Sequence, residues 1–523
     1  MTSPPAGFLH SLTGVPDLAA PTGPEASAFD RWAIEQRGVP QPVLMENAGR
    51  SAAQVLSRLF PAGPVVVVAG TGNNGGDGWV LARTLCAWGR SVQVLTVGSD
   101  PGHAALGHGW SIPSASSEAG GLGEALAGSE VVVDAVLGTG LRGAPREAQA
   151  RAIEAITRSG RPVLALDVPS GVSATSGAAE GAVVSATATV AFGAPKLGTL
   201  LHPGRARSGR LIAVEIGFPP ADARLGNARV LTPGWAAARR PRREPVTHKK
   251  AVGSLLVVAG REGMAGAALL CVRAALRAGI GLVRVASPAS NREVLQRCVP
   301  EALYVDREDP RELAEAVRTS DAVVVGPGMG LDDLAVHALE RVLAAASASP
   351  VVMDADALTL SAAGRAPGLG AWAGQGPAAA TPHLGELGRL TGSALAEPER
   401  LDRARGLAAE TGVVVLAKGA PSVVCEPKGA LSIDVQGSSD LATAGMGDVL
   451  AGVAGAYAAQ GVDLFTACGL ALHDSGAAHR RAALGDSLTP SDLVERLPEV
   501  RSAPPGASDL ALPFVLMDLP APW

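Results

Sequence analysis

Val65-Val-Val-Val-Ala-Gly-Thr-Gly-Asn-Asn-Gly-Gly-Asp-Gly78 is an apolar run that ends in glycine and leads into a helical run, Trp79–Trp88. A short, fully apolar run bounded by glycine reads as a strand buried on both faces. Strand, glycine loop and helix together form the building block of a doubly wound α/β sheet. Gly70, Gly72 and Gly75 also satisfy G-x-G-x-x-G, and Asp100 ends the next strand, as in a dinucleotide fold. That pattern is weak by itself. The pair Asn73-Asn74 and Asp77 say more, because they put amide oxygens and a carboxylate where a plain phosphate loop has small neutral residues.

The same grammar repeats along the chain. Strands are expected at Val65–Ala69, Val92–Val97, Val131–Val133, Val163–Leu166 and Thr187–Phe192, with Arg210–Ile216 as a closing strand. From Gly217 to Lys250 the sequence is crowded with Pro, Arg and Gly, which marks a domain boundary near Pro241. A second series follows at Ser254–Ala259, Leu282–Ala286, Ala322–Val325, Val351–Met353 and Val413–Ala417, with a hairpin-like pair at Ser422–Cys425 and Leu431–Val435. The expected architecture is two three-layer α/β domains, residues 1–235 and 236–523, the first Rossmann-like. The Pro-rich tail from Ser502 is expected to be loose, and a fragment ending near Pro241 to fold alone.

Composition agrees. At 523 residues the chain exceeds one ordinary core. Hydrophobic residues make up 47% and aromatics only 3%, a mix of small side chains suited to helices packed on parallel strands. A net charge of −5 argues against a general nucleic-acid surface, and the basic run Arg239-Arg-Pro-Arg-Arg243 reads as a solvated linker. The five cysteines are scattered with no C-x-x-C pair, so neither a zinc site nor a disulfide frame is indicated. Met1-Thr-Ser-Pro-Pro-Ala-Gly7 has no charged and apolar leader, and no apolar run reaches membrane-spanning length. A cytoplasmic protein without nucleic-acid or membrane partners is expected.

In the first domain, Asp134 stands in Val133-Asp-Ala-Val-Leu-Gly-Thr-Gly140 and Asp167 opens Asp167-Val-Pro-Ser-Gly171. Carboxyl ends of strands line the crevice of such sheets, so Asn74, Asp134, Asp167 and Ser170 are expected to converge. Hard oxygen donors of this kind suit an alkali or alkaline-earth cation, and a remaining carboxylate suits proton transfer. Each Asp taken singly is more often a turn or cap residue.

In the second domain, Leu441-Ala-Thr-Ala-Gly-Met-Gly-Asp-Val-Leu-Ala-Gly452 carries a small-residue turn, Ala444–Gly447, with Asp448 at the start of an apolar helix, Val449–Ala458. Inward-pointing N–H groups and a helix start make a cradle for a moving phosphoryl group, and the carboxylate is placed to take a proton. Five further elements are expected at the same crevice: Gly326-Pro-Gly-Met-Gly330, Asp354 with Asp356, His383, Lys418, and His248-Lys249 with Gly253.

From Glu25 to Pro219 the chain resembles the NAD(P)H-hydrate epimerase family, the YjeF N-terminal domain. The matching pieces are Leu44-Met-Glu-Asn-Ala-Gly-Arg50, Gly72-Asn-Asn-Gly-Gly-Asp-Gly78, Asp134 with Gly138-Thr-Gly140, Asp167-Val-Pro-Ser-Gly171 and Phe192-Gly-Ala-Pro-Lys196. The resemblance implies potassium bound by Asn74, Asp134 and Ser170. It also implies a hydrated nicotinamide nucleotide held by Asn73, Asn74, Gly75, Gly76 and Asp77, by Gly138, Thr139, Gly140, Leu141, Arg142, Gly143 and Ala144, and by Asp167, the expected acid/base residue.

From Val246 to Leu497 the chain resembles the ribokinase-like superfamily and, within it, the ADP/ATP-dependent NAD(P)H-hydrate dehydratases. Gly326-Pro-Gly328, Thr381-Pro-His383 with Gly385-Glu386, Lys418-Gly-Ala420 and Ala444–Gly452 carry the likeness. It implies nucleotide contacts at Lys418, Gly419, Ala420, Pro421, Ser422, Gly445, Met446 and Gly447, and substrate contacts at Ala267, Gly328, His383 and Asp448, with Asp448 also catalytic. Mg²⁺ is expected with ADP or ATP. Met446 stands where relatives usually carry Thr and Leu384 where Pro is common, but the cradle acts through backbone N–H groups and is expected to survive.

The implied protein is a bifunctional repair enzyme, expected to be a homo-oligomer. It would epimerise the R and S hydrates, NADHX and NADPHX, and dehydrate the S form with ADP or ATP, giving AMP or ADP and phosphate. Two other readings are a ribokinase-superfamily small-molecule kinase with an N-terminal ligand-binding or scaffold domain, and an NAD-dependent dehydrogenase suggested by Gly70-x-Gly-x-x-Gly75.

Overall fold

The structure, a computed structural model, describes residues 17–117, 122–220, 223–346, 348–502 and 510–522. The N-terminal residues read for a leader, and residues 503–509 of the Pro-rich tail, lie outside these. Two compact units form: Met1–Gly234 with Pro505–Trp523, and Trp235–Pro504.

The first unit is built on a sheet in the order Val515–Leu519, Arg210–Val214, Ala188–Phe192, Val163–Leu166, Val131–Ala135, Val65–Ala69, Val92–Thr96, Ser114–Ser116. All neighbours are parallel except the first pair. The valines of Val65–Ala69 show why the sheet is sandwiched. Val65 and Val67 pack with Leu56, Leu81 and Leu85, whereas Val66 and Val68 pack with Leu126, Ile153 and Ile156. Alternate side chains thus feed two helical layers, and both layers must be apolar.

Strand order reverses at Val65–Ala69, which lies between Val131–Ala135 and Val92–Thr96. Chain segments leaving the two parallel strands part there and open a crevice. Gly70 and Gly75 are dictated by crowding at this point. A Cβ on Gly70 would lie 2.0 Å from the Val136 carbonyl oxygen, and one on Gly75 would lie 1.9 Å from that of Gly70. The helix begins at Asn73 and runs to Ala87, earlier than the expected Trp79, so the Asn-Asn-Gly-Gly-Asp segment forms helical turns rather than a loop.

One expectation for the tail fails. Val515–Leu519 pairs antiparallel with Arg210–Val214, so that strand does not close the sheet, and the tail belongs to the first unit instead of to residues 236–523. Its docking has a clear physical basis. Arg210 donates to both carboxylate oxygens of Asp518 at 2.8 and 2.6 Å, and Asp518 is 1% exposed. Arg205 donates to the Pro520 carbonyl, and Leu510 and Val515 join the core around Ile212 and Val214. A fragment ending near Pro241 lacks all of this.

In the second unit the sheet runs Leu431–Ile433, Val423–Cys425, Val414–Ala417, Ala378–Ala380, Val351–Met353, Ala322–Val325, Ser254–Val258, Leu282–Ser287, Leu303–Asp306. The pairs are parallel except at the hairpin end. Two of these strands, Ala378–Ala380 and Leu303–Asp306, were not expected. The helix Met446–Ala459 crosses beneath the sheet fully buried along most of its length. It starts two residues before Asp448, with Gly445 at its N-cap (φ 93°), so Asp448 sits inside the first turn rather than at the cap. Among the described residues no helix is long and apolar enough to cross a membrane.

Candidate functional site

Each unit carries its own cluster at the carboxyl ends of its parallel strands. In the first unit a cavity of about 1030 Å³ opens at the strand-order reversal. Asn73, Asn74, Asp77, Asp167 and the segment from Gly138 to Leu141 line it, with Arg142 and Ala144. Gly75, Gly76 and Gly143 are not on the lining; Gly76 instead packs toward Met45 and His103. Asp134 and Ser170 lie behind the wall.

The buried layer behind that wall is closely bonded. Ser170 donates its hydroxyl to Asp134 Oδ1 at 2.6 Å and its N–H to Oδ2 at 2.8 Å, while its own oxygen accepts the Leu137 N–H at 2.8 Å. Asn74 Nδ2 donates to the carbonyls of Leu137 and Leu166 at 2.8 and 3.1 Å. Asn74 Oδ1 is buried with no protein donor. An unpaired buried acceptor is costly, and Asn74 meets Ser170, the partner of Asp134, at the shared Leu137 carbonyl, so this oxygen-rich layer suits an oxygen-seeking cation. Burial pushes the Asp134 carboxyl up to about 6, against the N–H and O–H donors that favour its charge.

Asp167 follows Val163–Leu166 in the left-handed region (φ 66°), a strained conformation for aspartate that turns its carboxylate toward the cavity. Lys196, itself 4% exposed, donates to Asp167 at 2.5 Å and to the carbonyls of Phe192 and Ala194 at 2.9 and 3.2 Å. Two of the other lining carboxyls interact with Asp167 directly. Burial, then the charges of Asp167 and Asp30, push Asp77 well above the carboxylate range. Burial is also the main reason Asp30 rises to about 6. The cavity thus sets Asp167, held by Lys196, beside two carboxyls whose hold on a proton burial strengthens. Asp30 and Lys196 were missed as site residues. Asp30 lies on a helix with no motif, whereas Lys196 ends the motif Phe192-Gly-Ala-Pro-Lys196. Asp100 does not reach the site: it caps the turn His103–Gly107.

In the second unit, consecutive strand ends deliver the groups. Asp354 follows Val351–Met353 and is 1% exposed. It accepts from Lys418 Nζ at 2.8 Å and from the Thr381 hydroxyl at 2.7 Å. The helix start reaches the same point, since a Cβ on Gly447 would sit 3.3 Å from Lys418 Nζ and 3.5 Å from Asp354 Oδ2. Burial first, and Asp354 second, push the Asp448 carboxyl up to about 7. Burial works against the charge of Lys418, but Asp354 and Glu386 outweigh it and hold the ammonium above its ordinary value. The result is a carboxyl poised near neutrality, next to a firmly charged lysine and the N–H groups of a helix start.

Around this centre, Ala267 meets Gly328, whose Cβ would lie 2.8 Å from that of Ala267. Asp356 accepts the Gly330 N–H at 2.8 Å and so fixes the glycine loop. His383 is exposed and caps the helix Leu384–Leu390, its Nδ1 accepting from Gly385 and Glu386 at 3.0 and 3.3 Å. Leu384 therefore does not disturb that loop. Burial and then Lys418 lower the His383 pKa, keeping its ring neutral. Ser422 bonds within its own turn to Gly419. Arg400, also missed, is buried and ties the Lys418–Ser422 turn by donating to the Ala417 and Pro421 carbonyls at 3.1 and 2.6 Å. His248 and Lys249 do not converge. They precede the strand Ser254–Val258, hence lie at the amino ends of the parallel strands, away from the crevice.

Known proteins match both units. The family described as "YjeF-related protein N-terminus" matches residues 41–198, and that described as "NAD(P)H-hydrate dehydratase" matches residues 255–499. The bifunctional NAD(P)H-hydrate repair enzyme of Moorella thermoacetica is 35% identical, covering 92% of this chain and 96% of its own. The enzyme of that name from Escherichia coli is 36% identical, covering 90% and 92%. Among solved structures, an ADP/ATP-dependent NAD(P)H-hydrate dehydratase from Bacillus subtilis, co-crystallized with ATP/Mg²⁺, is 28% identical with a TM-score of 0.46, covering 52% of this chain and 96% of that one.

Proposed function

The chain belongs to the family of bifunctional NAD(P)H-hydrate repair enzymes, and we propose that the cavity of its first unit epimerises NADHX and NADPHX while the Asp448 site of its second unit dehydrates the S form. The observation that carries this reading is the pairing, in one chain, of a helix-start turn at Gly445–Asp448, set against Lys418 and Asp354, with a separate cavity lined by Asp167, Asp77 and Asp30.

In the first site the ring nitrogen of the hydrate expels the neighbouring hydroxyl as water, and water returns to the opposite face of the iminium carbon. Asp167 carries the proton to the leaving hydroxyl and takes one from the returning water. Asn73, Asn74 and Asp77 hold the nucleotide, with the segment Gly138–Arg142 and Ala144. The orphaned Asn74 Oδ1, the Asp134 carboxylate and Ser170 Oγ fit potassium, which would fix the loop ends at the reversal point. Replacing Asn74 with alanine is expected to raise the potassium concentration needed for half-maximal epimerisation about tenfold or more, with dehydration unmoved. An unchanged potassium curve would remove Asn74 from the ligand set.

In the second site ADP or ATP lies over Lys418, Gly419, Ala420, Pro421, Ser422 and the Gly445–Gly447 turn, and the hydrate lies along Ala267, Gly328 and His383. Asp448 takes the proton of the ring hydroxyl, whose oxygen bonds to the terminal phosphorus as the bond to the remaining nucleotide breaks. The ring nitrogen then expels phosphate, and loss of a ring proton restores the dihydronicotinamide. Lys418 and the helix-start N–H groups stabilise the charge on the moving group. Mg²⁺ would enter with the nucleotide, where it would help to neutralise the charge of the phosphates.

The test is incubation of mixed R and S hydrates with ADP or ATP, following the return of reduced-cofactor absorbance and the release of phosphate. Recovery of the whole mixture with one phosphate per cofactor is expected. Accumulation of a phosphorylated substrate without free phosphate would point instead to a small-molecule kinase.

A further inference from the structure

The strand Val515–Leu519 is regular except at one residue. The register shifts between the pairs Val515–Val214 and Met517–Ala213, which makes a β-bulge at Leu516. Such a bulge re-aims the side chain it carries. Val515, Met517, Asp518 and Leu519 are all buried, whereas Leu516 is only partly covered and lines the first unit's cavity. The strand is pinned on both sides of it, by the Glu215 N–H donated to the Phe514 carbonyl at 2.8 Å and by the Arg210–Asp518 pair. Ile216 and Phe218, which follow the partner strand, line the cavity with it.

We propose that Leu516, which follows the whole dehydratase unit in sequence, is a substrate-contacting residue of the epimerase site. Its bulge supplies part of an apolar wall against which the nucleotide substrate packs, and the tail is therefore a component of that site rather than a linker or an appendage. This rests on the epimerase reading of the cavity.

The test uses the full chain with Leu516→Asp, Leu516→Met and Asp518→Asn, measuring epimer exchange across substrate concentration, dehydration of the S hydrate, and thermal melting. Leu516→Asp is expected to raise the epimerisation KM about tenfold or more, the scale of a lost apolar contact, with dehydration unchanged. Leu516→Met is expected to stay within about twofold of wild type, since volume and polarity are kept. Asp518→Asn keeps the side chain's size and an oxygen that still accepts from Arg210, so it is expected to lower the melting temperature while Leu516 stays in the wall and KM stays in place. Wild type that exchanges epimers, with a Leu516→Asp variant of unchanged KM, overturns the inference alone. A Leu516→Asp variant that only melts earlier, like Asp518→Asn, overturns it in favour of a purely structural role. Wild type that exchanges no epimers overturns the epimerase reading and this inference together.

Discussion

Replacing Asp448 with asparagine is expected to slow dehydration about a thousandfold while epimer exchange continues at the wild-type rate. Asparagine keeps the size of the side chain and its place in the first helical turn, so the cradle persists and only the proton acceptor is lost. The wild-type enzyme adds an independent signature. Only the ionised carboxylate accepts a proton, and burial with Asp354 nearby has raised Asp448 to about 7. Dehydration by the wild type is therefore expected to rise as pH increases through about 7 and to level off above it. The residual rate of Asp448→Asn should lack that step. Initial rates from about pH 5.5 to 8.5, with pure S hydrate and saturating nucleotide, give both answers. Loss of both reactions in the variant would sink the assignment of two independent sites.

The second large effect concerns Asp167→Asn. Epimer exchange is expected to fall about a thousandfold, with dehydration of pure S hydrate intact. This substitution also leaves the buried Lys196 ammonium without its carboxylate partner at position 167, so the first unit should lose stability on the order of 3 kcal/mol. The kinetics are therefore to be read well below the variant's melting temperature. If a folded Asp167→Asn protein exchanged epimers within tenfold of wild type, the proton would have to travel through another cavity carboxyl, first among them Asp77 and Asp30, which both feel the charge of Asp167.

The parallel strands were legible because burial on both faces leaves nothing but Val, Leu and Ala between turn residues. Val65–Ala69 and Ala322–Val325 are of that kind. Ala378–Ala380 escaped for the converse reason: alanine has weak strand preference, and this strand exists because its neighbours on both sides demand a filler of small side chains. Motif residues such as Asn74, Asp134, Asp167, Lys418 and Asp448 announced themselves through the glycines around them. Asp30 and Arg400 did not, since each acts from a helix whose local sequence is ordinary, and only tertiary packing brings them to a strand end. Asp448 and the Asn73–Gly78 segment were placed a few residues outside helices that contain them, because glycines read as loop even where a helix start tolerates them. The strand Val515–Leu519 was overlooked because prolines flank it and a charged Asp518 interrupts it. That aspartate is acceptable within a buried strand only because Arg210 waits for it 308 residues earlier.

That separation bears on how the protein is made. A ribosome adding roughly 5–20 residues per second takes about 15–60 s to travel from Arg210 to Asp518. Throughout that interval the rest of the first sheet can assemble, yet Arg210–Val214, paired on one side with Ala188–Phe192, keeps an open edge on the side that Val515–Leu519 will cover. Such an edge invites pairing with other nascent chains. The dehydratase unit is thus translated inside a gap in the epimerase sheet, and the first domain to begin folding is the last to be finished.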